Sequence, residues 1–201
     1  MNKPLALLAY TGMNTPWGKA QYVTEIIPNQ IVFVGTAGHG GVKLSRKLNA
    51  MIPADVRAKG GWYEEDCDWA IPFVVLRNLI AETPEAKNLD NAISTLKNWH
   101  PTLYERLFSV VLAEGESFKK DEASFAVRHA NDLQGVSAVG DWHTNVPQGF
   151  VGVTACVGGR KNGMFAGTLR NFLVPQEEYQ VGRFSFIVDP AKYQEVDSKV
   201  F

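Results

Sequence analysis

The period of the hydrophobic positions changes twice along the chain. Short apolar, β-branched runs bounded by turn residues predict strands in the first 60 residues, at 5–9, 20–27 and most clearly 31–34. A glycine-rich loop over 35–41 precedes a predicted short helix that begins at Leu44 or Ser45. Helical spacing then dominates the middle of the chain, and short strands return after residue 148.

The middle third predicts helices at 69–82, 84–99, 101–113 and 119–133. Asp66 or Asp68 could cap the first of these helices, and Pro72 is tolerated there only near a helix start. The last third predicts strands at 150–157, 168–174 and 183–188. This order predicts a single α+β domain over 1–201, β-rich at 1–60, helical at 66–133 and β-rich at 148–190. N- and C-terminal strands are expected to share one antiparallel sheet, with the helical segment packed on one face.

Composition and charge restrict the function. The chain has 201 residues, of which 45% are hydrophobic and 20% charged, so a packed globule is expected. A net charge of −1 disfavours direct nucleic-acid binding and excludes a highly acidic mimic of DNA. No apolar run approaches the roughly 18–20 residues of a membrane helix, so we expect no membrane association and a cytoplasmic location. Cys67 and Cys156 fit that location as free thiols, with a disulfide between them as the alternative.

The most unusual segment is 60–69, GGWYEEDCDW, which combines four carboxylates, a thiol and three large aromatic side chains. Several carboxylates beside a thiol could bind a divalent cation, hold a general base or orient a histidine. Nearby acids disfavour a thiolate, so Cys67 needs a cationic neighbour such as His39 to act as a nucleophile. The alternative is a helix start with a solvated acidic edge and a buried Cys67.

A second candidate site is the loop around His39, where three glycines leave the imidazole approachable. The loop matches no phosphate-binding pattern, no other motif identifies a cofactor, and a plain tight turn is the alternative interpretation. His39, Glu65 and Cys67 are therefore candidate catalytic residues, because base, orienter and nucleophile need only meet in space. We predict that His39 lies within about 8 Å of an acid in 64–68, close enough for their charges to interact. No residue set is assigned as metal ligands.

Three motifs resemble an uncharacterised domain family carried by phages, plasmids and mobile-element polyproteins. They are 17–21 (WGKAQ), 39–45 (HGGVKLS) and 60–69, and the resemblance covers roughly the first 80 residues. The family supplies no activity and no catalytic residue. The resemblance implies a setting in which small accessory proteins blunt host defences or redirect host enzymes. The candidate binding residues within the motifs are Trp17, Gln21, Gly40, Gly41, Trp62, Tyr63, Glu64 and Asp66.

Two functions follow as hypotheses. The first is a mobile-element accessory protein that binds and antagonises a host defence system or nucleic-acid enzyme, with a host protein or protein–nucleic-acid complex as partner. The second is a small hydrolase or transferase that uses a His/acid site, with Cys67 or a divalent metal as a further component. A concave site that unites Gln21, His39 and Glu65 would favour the enzyme. A flat face that exposes aromatic side chains would favour the binding protein.

Overall fold

The computed structural model describes residues 7–197, and the chain forms two compact units, Met1–Lys119 and Lys120–Phe201. Both α-helices and antiparallel sheets are present, which confirms the α+β class. The single-domain organisation stays a prediction. Of the strand expected at 5–9, residues 5 and 6 lie outside the described residues, and residues 7–9 are not in a strand. No helix in the described part of the chain is long and apolar enough to cross a bilayer.

The described residues of the first unit, from 7 onward, form six strands and five α-helices. The strands are β1 (Asn14–Thr15), β2 (Gly18–Lys19), β3 (Tyr22–Ile27), β4 (Ile31–Gly35), β5 (Gly40–Leu44) and β6 (Trp62–Glu64). The helices are α1 (Arg46–Asn49), α2 (Ala70–Val75), α3 (Arg77–Ile80), α4 (Leu89–Trp99) and α5 (Pro101–Phe108), with 3-10 turns at Lys59–Gly61 and Pro84–Asn88. A further helix, α6 (Phe118–Arg128), crosses from the first unit into the second.

The main sheet of the first unit is an antiparallel meander in the order β3-β4-β5-β6. Thr24, Phe33, Val42 and Tyr63 form one cross-strand row, so their side chains share one face of the sheet. Residues of this face pack with α2, α4 and α5 into the larger core of the unit. The opposite face, which includes Val34, packs against the N-terminal segment around Ala9 and Ala20.

The acidic segment does not begin a helix, so the prediction of an N-cap at Asp66 or Asp68 is wrong. Residues 62–64 pair with β5, and the Trp69 N–H donates to the Glu64 carbonyl at 2.8 Å, which closes a turn before the helix. α2 then begins at Ala70, and no side chain caps it. The continuous helix predicted over 69–82 is also interrupted, because the backbone of buried Leu76 (φ −100°, ψ 23°) separates α2 from α3.

The second unit is built around a five-stranded antiparallel sheet in the order β12-β7-β8-β11-β13. The strands of this unit are β7 (Leu133–Val139), β8 (Phe150–Val157), β9 (Arg160–Lys161), β10 (Met164–Phe165), β11 (Arg170–Pro175), β12 (Ile187–Val188) and β13 (Gln194–Val196). Val153, Phe172 and Val174 are fully buried in its core.

The N-terminal and C-terminal strands lie in separate sheets, where the sequence led us to expect a shared one. In the first sheet, strands that are neighbours along the chain pair with each other, so β3–β6 find all their partners within residues 22–64. The five-stranded sheet draws all its strands from residues 133–196, although β12 pairs with β7 and β13 pairs with β11. β7 was not predicted, since glycine and polar residues interrupt its apolar pattern, and the helix predicted over 119–133 ends at Arg128. The strand predicted at 150–157 matches β8.

Candidate active site

The second and third sequence motifs meet at one end of the four-stranded sheet. β5 begins immediately after His39, and the Glu65 N–H donates to the Gly40 carbonyl at 3.1 Å, which extends the β5–β6 pairing to that end. His39 Nδ1 consequently lies 3.5 Å from Glu64 Oε1. The prediction that His39 approaches an acid in 64–68 is confirmed.

Thr36 fixes the backbone of the turn that presents His39. Its hydroxyl donates to the His39 carbonyl at 2.6 Å and accepts from the His39 N–H at 3.2 Å, and its own N–H donates to the same carbonyl at 2.8 Å. The His39 side chain is 60% exposed. The backbone is therefore held while the imidazole can still rotate toward a ligand.

Gly40 and Gly41 are required by close approach and not by a turn, so the predicted loop over 35–41 is corrected: both residues lie in β5. A Cβ atom at Gly40 would lie 2.6 Å from Glu65 Oε2, and one at Gly41 would lie 2.2 Å from the Tyr63 carbonyl oxygen. The Gly41 position would also place that atom 2.4 Å from the Trp17 ring. The two glycines thus admit the Glu65 carboxylate on one face of the sheet and the Trp17 ring on the other.

His39, Glu64 and Glu65 together offer one imidazole nitrogen and two carboxylate oxygens that all lie within 4.8 Å of one another. Glu64 Oε2 accepts from the Asp66 N–H at 2.7 Å. Glu64 Oε1 is buried and accepts no hydrogen bond from the described residues, since the 3.5 Å separation from His39 Nδ1 is too long for a good one. A buried acceptor without a donor is costly, and a cation would compensate it.

Other candidate residues lie around this cluster in different roles. Tyr63 is fully buried, and its hydroxyl donates to Asn49 Oδ1 at 2.6 Å, so it supports the core. Trp17 and Trp62 pack edge to face, with ring centroids 5.7 Å apart. Gln21 is exposed before β3, where its N–H donates to the Gly35 carbonyl at 2.8 Å. The binding roles predicted for Trp17, Gln21 and Trp62 stay predictions, and the buried Tyr63 side chain is closed to a ligand.

Cys67 is partly buried, and Cys156 is fully buried with its thiol donating to the Gly159 carbonyl at 3.0 Å. Both cysteines are free. Burial raises the pKa of the Cys67 thiol above its ordinary value, and the charges of Asp66, Asp68 and Glu64 raise it further. A raised pKa keeps the thiol protonated near neutral pH and therefore argues against Cys67 as the nucleophile.

We expect Cys67 to react more slowly with iodoacetamide than free cysteine does at about pH 7, because the thiolate is the reacting form. Its rate should rise only as the pH passes above the ordinary thiol range, since burial and acidic neighbours raise its pKa. Mass spectrometry of timed samples measures this rate. The Cys67→Ser variant supplies the background from Cys156. Modification of Cys67 faster than free cysteine at neutral pH would restore it as a nucleophile.

A cavity of about 390 Å³ opens beside the cluster, between the sheet and the helices of the first unit. Glu65 is on its wall, and Gln21 is not among the described residues that line it. The sheet contributes Thr24, Ile26, Phe33 and Val42, and the helical side contributes Trp69, Phe73, Glu85, Asn88 and Asn91. This volume lies in the range of small-molecule sites. Of the three residues expected to share one concave site, only Glu65 is among the described lining residues. His39 lies outside that lining, with a ring nitrogen within 4.8 Å of a Glu65 carboxylate oxygen.

Comparison with known protein families assigns residues 10–130, which contain this site, to one family. Residues 10–130 match a family described as a domain of unknown function, DUF7007, over more than half of the chain. The chain belongs to the DUF7007 family. The expectation of an uncharacterised family is thereby confirmed, and the matched residues of DUF7007 include the His39 cluster and the whole cavity lining. No curated protein and no solved structure matches the chain.

Proposed function

We propose that this DUF7007 protein is a divalent-cation-dependent hydrolase whose cation is held by His39, Glu64 and Glu65. The observation that carries the proposal is the convergence of their three ligand atoms within 4.8 Å beside a cavity of small-molecule size. The proposal selects, from the alternatives left by the sequence, the His/acid enzyme with a metal and without Cys67.

The residues fit a cation in number and chemistry. Imidazole nitrogen and carboxylate oxygen are ligands for Mn²⁺, Fe²⁺ and Zn²⁺. Two atoms that bind the same ion can be at most about 4.2 Å apart, because each would lie about 2.1 Å from it. The observed spacing needs small side-chain rotations, which the exposed His39 and the two long carboxylates allow. The buried, undonated Glu64 Oε1 is an independent reason for a positive charge here.

The cation ligands and the cavity walls would have different roles in hydrolysis. A divalent cation held by His39, Glu64 and Glu65 would supply Lewis-acid polarisation of a substrate carbonyl or phosphoryl oxygen. Three protein ligands are the number typical of catalytic sites, whereas structural sites use four. The apolar walls around Phe33 and Phe73 seat the rest of the substrate and exclude bulk water. Gly40 lets Glu65 reach both the cluster and the cavity wall.

The test is turnover of chromogenic ester, anilide and phosphate substrates by metal-stripped protein before and after addition of Mn²⁺ or Zn²⁺. We expect cation-dependent turnover of at least one substrate, and a loss of about a hundredfold or more in Glu65→Gln. Asp66→Asn is the matched control, because Asp66 is an exposed neighbouring acid outside the cluster. Turnover that survives chelation, equal turnover by Glu65→Gln, or no turnover of any substrate would contradict the hydrolase.

A second proposal is a mobile-element accessory protein that binds and antagonises a host defence system or nucleic-acid enzyme in the host cytoplasm. Its support is the resemblance of the motifs and the exposure of large aromatic side chains, among them Tyr22 at 53% and Trp142 at 77%. Exposed aromatics are common anchors of protein interfaces. Inhibition of host defence in cells separates the two proposals. A pure binding protein keeps this activity in folded His39→Ala and Glu65→Gln variants and loses it on truncation of an anchor.

A further inference from the structure

The cavity beside the His39 cluster has a distinct chemical character. Its walls carry aromatic side chains from both sides: Phe33 from the sheet, Phe73 from α2, and Trp69 from the residue before α2. The Trp69 and Phe73 rings pack edge to face with centroids 5.0 Å apart, which fixes their orientation. Such walls accept a flat or slender apolar group, and their ring faces also attract a cation.

The charge of the lining is negative. Two carboxylates, Glu65 and Glu85, stand on the wall together with the uncharged amides of Asn88 and Asn91, and no lysine, arginine or histidine is among the described lining residues. With Glu65 engaged by the proposed cation, Glu85 is the charge that an anionic group in the cavity would meet, and it would repel that group. A ligand with a positive head would be attracted by Glu85.

Two hydrogen bonds fix the position of Glu85, where its carboxylate can bind a positively charged group of a ligand. It lies in the turn Pro84–Asn88, where the Thr83 hydroxyl accepts from its N–H at 3.2 Å. Its Oε2 accepts from Asn88 Nδ2 at 2.5 Å. A carboxylate has about four lone-pair positions, so this bond leaves acceptor capacity for a ligand. Because Glu65 belongs to the cation cluster, Glu85 is the carboxylate left to recognise a substrate.

We propose that this cavity binds an organic cation, with a primary ammonium or guanidinium head on Glu85 and an apolar body between Phe33, Trp69 and Phe73. The inference rests on the proposed function, because it names the substrate class of the same site. Phe33 and Trp69 are partly buried, so their rings keep accessible apolar surface for the body of the ligand, and the more deeply buried Phe73 closes the wall behind them. The charged hydrogen bond to Glu85 then selects amines over neutral and anionic analogues.

The experiment compares benzylamine, benzyl alcohol and benzoate, which share a body and differ in charge. Each is titrated into the full chain while the Trp69 indole and Asn88 side-chain amide resonances are followed by NMR. We expect saturable shifts with benzylamine, and binding at least about tenfold weaker for the other two. Glu85→Gln keeps an acceptor for Asn88 and removes the charge, so it should abolish that preference. Glu82→Gln is the control, since Glu82 is exposed and does not line the cavity.

Equal binding of the three probes, no saturable shift with any of them, or unchanged benzylamine preference in Glu85→Gln would overturn the organic-cation site. Mn²⁺ titration of the same Glu85→Gln sample is the second measurement. Unchanged Mn²⁺ binding together with lost amine preference supports this proposal and leaves the cation site standing. If the wild-type protein binds Mn²⁺ but shows no preference for benzylamine, the proposed substrate class alone is overturned. If the wild-type protein does not bind Mn²⁺, the proposed function is overturned.

Discussion

Replacing Gly41 with alanine is expected to lower the free energy of unfolding by about 3 kcal/mol or more, a large effect for the addition of one methyl group. The new Cβ would lie 2.2 Å from the Tyr63 carbonyl oxygen and 2.4 Å from the Trp17 ring. The first of these is backbone in the adjacent strand, so it cannot rotate away, and β5 and β6 would have to separate. Because these strands bring His39 to the two glutamates, the variant should lose cation binding as well.

Gly38→Ala is the matched control for this prediction. A Cβ atom at Gly38, three residues away, would meet nothing within 4 Å, so its effect on stability should stay within about 0.5 kcal/mol. Urea unfolding followed by tryptophan fluorescence measures both variants against the wild-type chain. Equal stability of Gly41→Ala and Gly38→Ala would show that the β5–β6 approach is looser than described.

The parts of the fold that follow from local pattern were predictable. The run at 31–34 is apolar and β-branched and forms β4, and 150–157 forms β8. Which strands pair with each other is harder to predict from a single sequence than the strands themselves, because pairing depends on residues that are distant along the chain. The glycines at 40 and 41 are typical of a loop in sequence, yet they lie in strand β5. Glycine is needed there because neighbouring groups approach the strand closely from both faces. The acids at 64 and 65 are likewise typical of a helix start in sequence, yet both pair with β5, and a single sequence does not reveal that pairing.

The sequence predicted which residues form the candidate site, but it did not predict which of them could act together chemically. His39 and the acids of 64–68 stood out by composition, and their convergence is confirmed by the 3.5 Å separation of His39 and Glu64. The convergence of their side chains depends on strand register, which determines that Glu65 lies over Gly40. Cys67 belonged to the same sequence cluster, yet burial and acidic neighbours raise its pKa and remove the argument for a nucleophile.

Loss of a single cluster side chain is expected to weaken cation binding about a hundredfold or more. His39→Ala removes the nitrogen ligand, and Glu65→Gln removes the charge of one carboxylate while it keeps the shape. Gly40→Ala should act in the same direction, since its Cβ would displace the Glu65 carboxylate from a position 2.6 Å away. Asp66→Asn, at an exposed acid outside the cluster, should change affinity by no more than about threefold.

The direct test of the cation site is isothermal titration of Mn²⁺ and Zn²⁺ into metal-stripped wild-type protein and these variants, with circular dichroism to confirm that each is folded. We expect one saturable site in the wild-type chain and in Asp66→Asn. We expect this site to be lost or weakened about a hundredfold in folded His39→Ala and Glu65→Gln. Absence of binding of either metal to the wild-type chain, or equal affinity in all folded variants, would contradict the assignment of His39, Glu64 and Glu65 as a divalent-cation site.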